Sequence, residues 1–127
     1  MTRTLVPSGS PHGPVIGMSR AVRIGPWISV AGTGPLRDGV TIHHGDVYGQ
    51  TKQCLATILA AIAELGGSPE AIVRTRVMLT EIALWRDAAR AHGEVLAAIQ
   101  PASTFVAVTR FVDPTWLVEI EADAYVM

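Results

Sequence analysis

Three carboxylates lie in a row near the end of the chain, in the stretch LVEIEADAYVM at residues 117–127. In an extended strand alternate side chains point to opposite faces, so Glu119, Glu121 and Asp123 share one face. The apolar residues between them share the other face: Val118, Ile120, Ala122 and Ala124. One interpretation is a sheet face in contact with water, as antiparallel sheets commonly have. The other is that one carboxylate lies in a cleft and handles a water molecule or a proton.

The other side chains capable of chemistry give weaker signals. Cys54 could act as a nucleophile, but it lies in a helical pattern of apolar residues, where a buried, unreactive thiol is the usual finding. His43 and His44 are adjacent, and His12 and His92 are isolated, so no set of histidines has the spacing of a zinc site. We therefore expect neither a metal nor a cofactor.

Length and composition narrow the class of protein. The chain has 127 residues, and we expect residues 1–127 to form a single domain with a loop-like N-terminal segment at 1–14. The formal net charge of −1 gives no electrostatic reason to expect nucleic acid or a membrane surface as a partner. No apolar run approaches the roughly 20 residues of a membrane span, and a signal-peptide layout is missing. With a single cysteine, the composition favours a cytoplasmic location.

Hydrophobic periodicity predicts the order strand, strand, helix, strand, helix, strand, strand. The first two strands are VIGMSRAVRI and WISVAG. The first helix begins after Asp46, a typical N-cap residue, and ends at Gly66-Gly67. The second helix covers about 83–99, and STFVAV and WLVEIEADAYV are the last two strands. The third strand, AIVRTRVMLT, is predicted to have four residues on one face: Val73, Thr75, Val77 and Leu79.

This order is typical of an α+β fold in which both helices pack on one face of a sheet. The opposite face of the sheet then needs cover, and a second copy of the chain is the simplest source. The pattern therefore predicts an oligomer.

Four motifs occur in the order found in the Rid family, which is also called YjgF or L-PSP endoribonuclease. They are GDVYGQTKQCLATILAAIAELGGS, IVRTRVMLTEI, QPASTFVAV and LVEIEADA. The chain thus resembles that family from about Gly17 to Ala124. The resemblance implies a chorismate-mutase-like α+β fold with a mixed sheet. It also implies a homotrimeric barrel that holds a small-molecule ligand in clefts between neighbouring subunits.

The best-known branch of that family hydrolyses reactive imines and enamines to keto acids and ammonia. There an arginine follows the Pro-Ala pair before the STFVAV-like strand and binds the substrate carboxylate, which matches its planar guanidinium. Here Ser103 stands at that position, so the arginine is missing, and Met18 stands where the branch has a tyrosine. The glutamate that positions water in that branch matches Glu119. The resemblance therefore implies that Glu119 is the catalytic residue.

Arg20 shares a face of the first predicted strand with Met18. One interpretation is a surface residue whose charge reaches water past apolar neighbours. The other is a buried cation with a partner. In that case Arg20 either supplies the positive charge that Ser103 does not, or pairs with Glu119.

Four further residues are candidates for substrate binding. Gly32 and Thr33 match the family's turn after the second strand, where the resemblance implies backbone contacts to a ligand and glycine permits a close approach. Ser103 and Thr104 either donate hydrogen bonds to a ligand or are ordinary polar residues of a strand.

Two classes of function follow. The first is an enzyme that hydrolyses an imine, an enamine or a related labile C–N compound, with Glu119 orienting water. Because the arginine is missing, its activity on 2-imino acids is expected to be weak or absent. The second is a trimer that binds a small metabolite without chemistry or regulates a partner enzyme. A ribonuclease is disfavoured because the chain has neither a basic stripe nor an aromatic platform for bases.

Overall fold

Six strands form one mixed sheet in the computed structural model, which describes residues 2–127. Two long helices and a separate two-stranded hairpin complete the fold. In chain order the elements are β1 (Arg3–Pro7), α1 (Gly13–Ile16), β2 (Ser19–Ile24), β3 (Trp27–Thr33), β4 (Leu36–Arg37), β5 (Val40–Thr41), α2 (Val47–Glu64), β6 (Ile72–Leu79), α3 (Trp85–Leu96), β7 (Ala102–Ala107) and β8 (Val118–Tyr125). The predicted α+β class is confirmed.

The strands of the large sheet lie in the order β1-β2-β3-β8-β6-β7. Every neighbouring pair is antiparallel except β6 and β7, which are parallel and are connected through α3. The last strand therefore lies between β3 and β6, at the centre of the sheet. This position brings the alternating residues of β8 into contact with both halves of the chain.

Helix α2 begins and ends as the sequence predicts. The Asp46 carboxylate accepts a hydrogen bond from the backbone N–H of Gly49 at 3.0 Å, which is the usual N-cap contact. Beyond the last turn Gly66 has φ +83°, a left-handed conformation that suits glycine and stops the helix. The buried face of α2 packs on the sheet through residues at helical spacing: Cys54, Leu55, Ile58 and Ile62.

Both long helices cover the same face of the sheet. On β8 this face carries Val118, Ile120, Ala122 and Ala124, all at most 3% exposed. Helix α3 reaches the same face, because His92 contacts Thr75 of β6, and Thr75 is the register partner of Ala122. The one-sided arrangement predicted from the element order is confirmed.

Three details differ from the sequence prediction. Residues 3–7 form a strand rather than part of a loop-like segment, because β2 supplies antiparallel partners for their backbone. The first long strand begins at Ser19, since Val15 and Ile16 belong to the short helix α1. Val73 is exposed because the β6–β8 register shifts between Ile72 and Arg74, which turns Ile72 inward instead.

The other face of the sheet, called here the open face, has no cover within residues 2–127. It carries the three carboxylates of β8, which pair in register with residues of β3 and β6. It also carries large apolar side chains that are 39–51% exposed: Leu5, Ile24, Trp27, Val106 and Tyr125. An apolar set of this size on one face is typical of an interaction surface.

Candidate functional site

The three carboxylates of the open face have different surroundings. Glu121 forms an ion pair with Arg76, with 2.8 Å between Oε1 and Nη1. Asp123 accepts a hydrogen bond from the hydroxyl of Ser29 at 3.0 Å. Glu119 accepts no hydrogen bond from any residue in 2–127, and neither of its oxygens is shut off from solvent. Glu119 is therefore the carboxylate on β8 that is free to bind water or a ligand.

The Glu119 side chain lies directly over the backbone of Gly32. A Cβ added at Gly32 would overlap the Glu119 carboxylate, so the absence of a side chain makes room for it. A register shift between Val30 and Thr33 places two residues of β3, one of them Gly32, opposite a single position of β8. Gly32 thus contributes space at this point of the site.

Burial raises the pKa of Glu119 above its ordinary value. The positive charge of Arg20 counteracts this rise in part, and the negative charge of Glu121 adds to it. A carboxylate with a raised pKa is a stronger base for a water proton than an ordinary surface carboxylate. The electrostatics therefore favour Glu119 as a proton acceptor.

Arg20 turns inward, toward the backbone of β3. Its Nη1 donates to the carbonyl of Gly32 at 2.8 Å and to the hydroxyl of Thr33 at 3.0 Å. Burial lowers the pKa of Arg20, and the charge of Glu119 partly offsets this. Yet no ion pair within 4.0 Å joins Arg20 to Glu119. Arg20 is therefore a half-buried cation near Glu119 that holds the Gly32 carbonyl in place.

The other residues predicted to bind substrate lie at different distances from Glu119 and Arg20. Thr33 is buried, and its hydroxyl donates to the carbonyl of Ala31 at 2.8 Å. Met18 precedes β2 and lines a small neighbouring pocket of about 320 Å³. Thr104 is exposed on the open face, in register with Arg76.

Ser103 lies on the helix-covered side of the sheet. Its hydroxyl contacts the hydroxyl of Thr75 at 2.7 Å, and Thr75 contacts Nε2 of His92 at 2.8 Å. Ser103 also donates to the carbonyl of Pro101 at 3.1 Å. Burial lowers the pKa of His92, which favours its neutral form. Within one chain, the sheet therefore separates Ser103 from Glu119.

Two residues that the sequence interpretation missed position the loop before β8. The fully buried Gln50 accepts from the backbone N–H of Leu117 at 2.8 Å and donates to the carbonyl of Thr115 at 3.2 Å. The Trp116 ring packs on Gly34, and its Nε1 donates to the hydroxyl of Thr41 at 3.0 Å. Gln50 precedes Cys54 by four residues, so its place on the buried helix face was a usable signal.

Within residues 2–127 the remaining candidates for chemistry form neither a reactive thiol nor a metal site. Cys54 is fully buried, and burial raises the pKa of its thiol, which confirms the interpretation as a core residue. Among residues 2–127 no cluster of three or more His, Cys, Asp or Glu side chains could hold a metal ion. In the same range no helix has the length and apolar character needed to cross a membrane.

Comparison with known proteins identifies relatives along nearly the whole chain. The family model described as Endoribonuclease L-PSP matches residues 11–126. An uncharacterized protein from Streptomyces coelicolor is 38% identical over 120 residues, covering 94% of this chain and 90% of that protein.

Solved structures show the same fold. A member of the YjgF/YER057c/UK114 family from Mycobacterium tuberculosis has a TM-score of 0.89 at 42% identity, covering 98% of this chain and 100% of that chain. A protein of the conserved Rid family from Yersinia pestis has a TM-score of 0.87 at 25% identity, covering 98% of this chain and 100% of that chain.

Proposed function

Because the chain belongs to the L-PSP endoribonuclease family, also known as YjgF or Rid, we propose that it handles a small metabolite in clefts between the subunits of a homotrimer. The proposed reaction is hydrolysis of an imine, an enamine or a related labile C–N compound. Glu119 orients the attacking water in this reaction. The observation that carries the proposal is the half-buried Glu119 carboxylate, which lies over Gly32 with a raised pKa and accepts no hydrogen bond from residues 2–127.

The chemistry requires one group that takes a proton and later returns it. As the water oxygen bonds to the imine carbon, the Glu119 carboxylate accepts one water proton and passes it to the imine nitrogen, which gives a neutral carbinolamine. Glu119 then accepts the proton of the carbinolamine hydroxyl and returns it to the amino nitrogen as the carbon–nitrogen bond breaks, so that the carbonyl forms and ammonia leaves. Arg20 supports this step by holding the backbone at Gly32, over which Glu119 lies.

A cleft that holds both Glu119 and Ser103 requires two chains, because these residues lie on opposite faces of one sheet. The exposed apolar side chains of the open face support such an assembly, since burying them stabilises it. Ser103 and Thr104 lie on β7, at the edge of the sheet, and are then proposed to approach the ligand from one subunit across that edge. Met18, Gly32 and Glu119 approach it from the other, where Arg20 and Thr33 bond the β3 backbone.

The assembly is tested by light scattering at low protein concentration. We expect a mass of about three times the 13.5 kDa of one chain. A folded monomer at micromolar concentration would contradict both the trimer and the cleft between subunits.

The missing arginine makes a separate prediction about substrate. Ser103 cannot form the bidentate contact of a guanidinium with a carboxylate, and loss of such a contact costs about 2–5 kcal/mol. Hydrolysis of 2-aminoacrylate-type imines should therefore be roughly thirtyfold slower or worse than in a relative that has the arginine. A coupled assay that generates the imine and follows the keto acid measures this rate. Equal rates would show that Ser103 does not limit the reaction.

A second candidate is a trimer that binds a metabolite without chemistry or regulates a partner enzyme. The internal contacts of Ser103 favour it, because this hydroxyl already bonds Thr75 and Pro101 and offers no charge to a substrate. A ribonuclease is disfavoured despite the family's name, because a net charge of −1 provides no attraction for a phosphate backbone.

A further inference from the structure

A pocket of about 570 Å³ lies within one chain, beside Arg20 and Thr33. We call it the Trp116 pocket, and its walls include Ser10, Arg20, Gly34, Leu36, Asp113 and Trp116. Glu119 is not among its lining residues. The volume is within the range of small-molecule sites, which is about 300–1,000 Å³.

Arg20 supplies the one guanidinium or ammonium group among the lining residues. Only its Nη1 is bonded within residues 2–127, to the Gly32 carbonyl and the Thr33 hydroxyl. The Nε–Nη2 edge, where two N–H groups point in parallel, has no acceptor in that range. This edge has the geometry for bidentate contact with a carboxylate. A half-buried cation without an ion pair is also costly unless an anion joins it.

Trp116 provides a fixed apolar wall beside this cation. A Cβ added at Gly34 would lie 2.5 Å from the indole ring, so the ring rests directly on the Gly34 backbone. The Nε1–H group of Trp116 already donates a hydrogen bond to Thr41, so the ring is available for apolar contact with a ligand. Leu36 and Pro114 add apolar surface to the same pocket.

Two carboxylates limit the charge of a ligand. Asp38 and Asp113 both line the pocket. Hydrogen bonds from Thr115 and Thr41 lower the pKa of Asp113, which keeps it ionised. A phosphate or another multiply charged anion would meet repulsion from these groups. A ligand with a single carboxylate beside Arg20 avoids most of this repulsion.

We propose that the Trp116 pocket binds a small monocarboxylate with an aromatic or branched apolar body. The carboxylate contacts the free edge of Arg20, and the apolar body packs on Trp116. This binding requires neither a trimer nor hydrolysis, and it adds a site to the one proposed around Glu119.

The test follows the indole N–H resonances of the full chain labelled with ¹⁵N. Three tryptophans give three such signals, and W116F assigns the one from Trp116, so Trp27 and Trp85 serve as internal controls. Phenylacetate is titrated to about 10 mM, and phenylacetamide is the uncharged probe of matched shape. The variants are R20Q, R20K and R86Q, of which R86Q is an exposed arginine change outside the pocket.

We expect phenylacetate to shift the Trp116 signal saturably while Trp27 and Trp85 stay in place. Phenylacetamide, and phenylacetate with R20Q, should bind at least about tenfold more weakly, because a charge-assisted pair is lost. R20K should lie between wild type and R20Q, and R86Q should match wild type. If R20Q does not fold, the ratio of acid to amide affinity in the wild type decides. No saturable Trp116 shift, equal affinity for acid and amide, or undiminished binding by a folded R20Q would overturn the proposal.

Discussion

The two ends of β8 carry the same kind of side chain on the open face but surround it differently. At one end Glu121 and Asp123 have partners from neighbouring strands, Arg76 of β6 and Ser29 of β3. At the other end Glu119 is the register partner of Met78 in β6, and its side chain lies over the backbone of Gly32 in β3. The same alternation thus produces two surface carboxylates with polar partners and one that has no hydrogen-bond partner in the described part of the chain.

The difference arises from the neighbouring strands rather than from β8. Gly32 lies within the register shift of β3, and a Cβ at this position would push the Glu119 carboxylate away. Gly32 also has no side chain that could donate a hydrogen bond to Glu119. Because Glu119 is half-buried, the loss of contact with water raises the pKa of its carboxyl group. A half-buried carboxylate with a perturbed pKa is typical of a functional site.

The largest expected effect separates Glu119 from Glu121. Glu119→Gln keeps the shape of the side chain but removes its ability to accept a proton, so imine hydrolysis should fall by roughly 10²-fold or more. Glu121→Gln is the matched control, since it makes the same change two residues along the same face, and its rate should stay close to wild type. The keto-acid assay measures both variants. Equal effects of the two substitutions, whether both silent or both severe, would show that the two ends of β8 are equivalent.

Gly32→Ala tests whether the space under Glu119 matters. The new Cβ would overlap the Glu119 carboxylate, which is the end of a flexible side chain and swings away. We expect at least a roughly tenfold loss of rate, with a stability change of only about 1 kcal/mol.

Gly93→Ala is the control for this change, because a Cβ at this position in α3 meets no atom within 4 Å. It should leave the rate unchanged and stabilise the helix by roughly 0.5–1 kcal/mol. Urea unfolding and the rate assay report the two quantities separately. Retention of full activity by Gly32→Ala would mean that the position of Glu119 over Gly32 is unimportant.

The smallest expected effect is on the free energy of unfolding, and its sign differs between Glu119→Gln and Glu121→Gln. A raised carboxyl pKa in the folded state means that stability is present below the ordinary carboxyl pKa and is lost as the pH rises through the raised value. Glu119→Gln removes this loss, so at pH 7.5 it should be as stable as wild type or more stable. The gain is below about 1 kcal/mol, because water reaches the carboxylate and screens it.

Glu121→Gln should instead lower stability by about 0.2–1 kcal/mol, because it removes an exposed ion pair with Arg76. Urea titrations at pH 7.5 and pH 4, at one protein concentration, compare both variants with wild type. The advantage of Glu119→Gln should shrink at the lower pH. An advantage that is the same at both pH values would exclude burial of the Glu119 charge as its cause.

Much of the fold follows from patterns that are local in the chain. The Asp46 cap, the apolar face of α2 and the alternation of β8 are each set within a few residues, and all three agree with the structure. The order of elements also predicted a sheet with one uncovered face. The prediction that Val73 shares a face with Thr75 was wrong because a bulge in β6 changes the face of this residue. The prediction of a loop at residues 3–7 was wrong because β2, more than ten residues away along the chain, pairs with them.

The sequence by itself determined that three carboxylates of β8 share the face opposite the core. Only the tertiary structure decided which of them have partners, because Arg76, Ser29 and Gly32 lie some 45 to 94 residues away along the chain. It also decided that Arg20 turns toward β3 and that Ser103 lies on the opposite side of the sheet from Glu119. The physical reason is that side-chain periodicity sets the face of a residue, whereas its hydrogen bonds and its pKa depend on the strands that pack beside it.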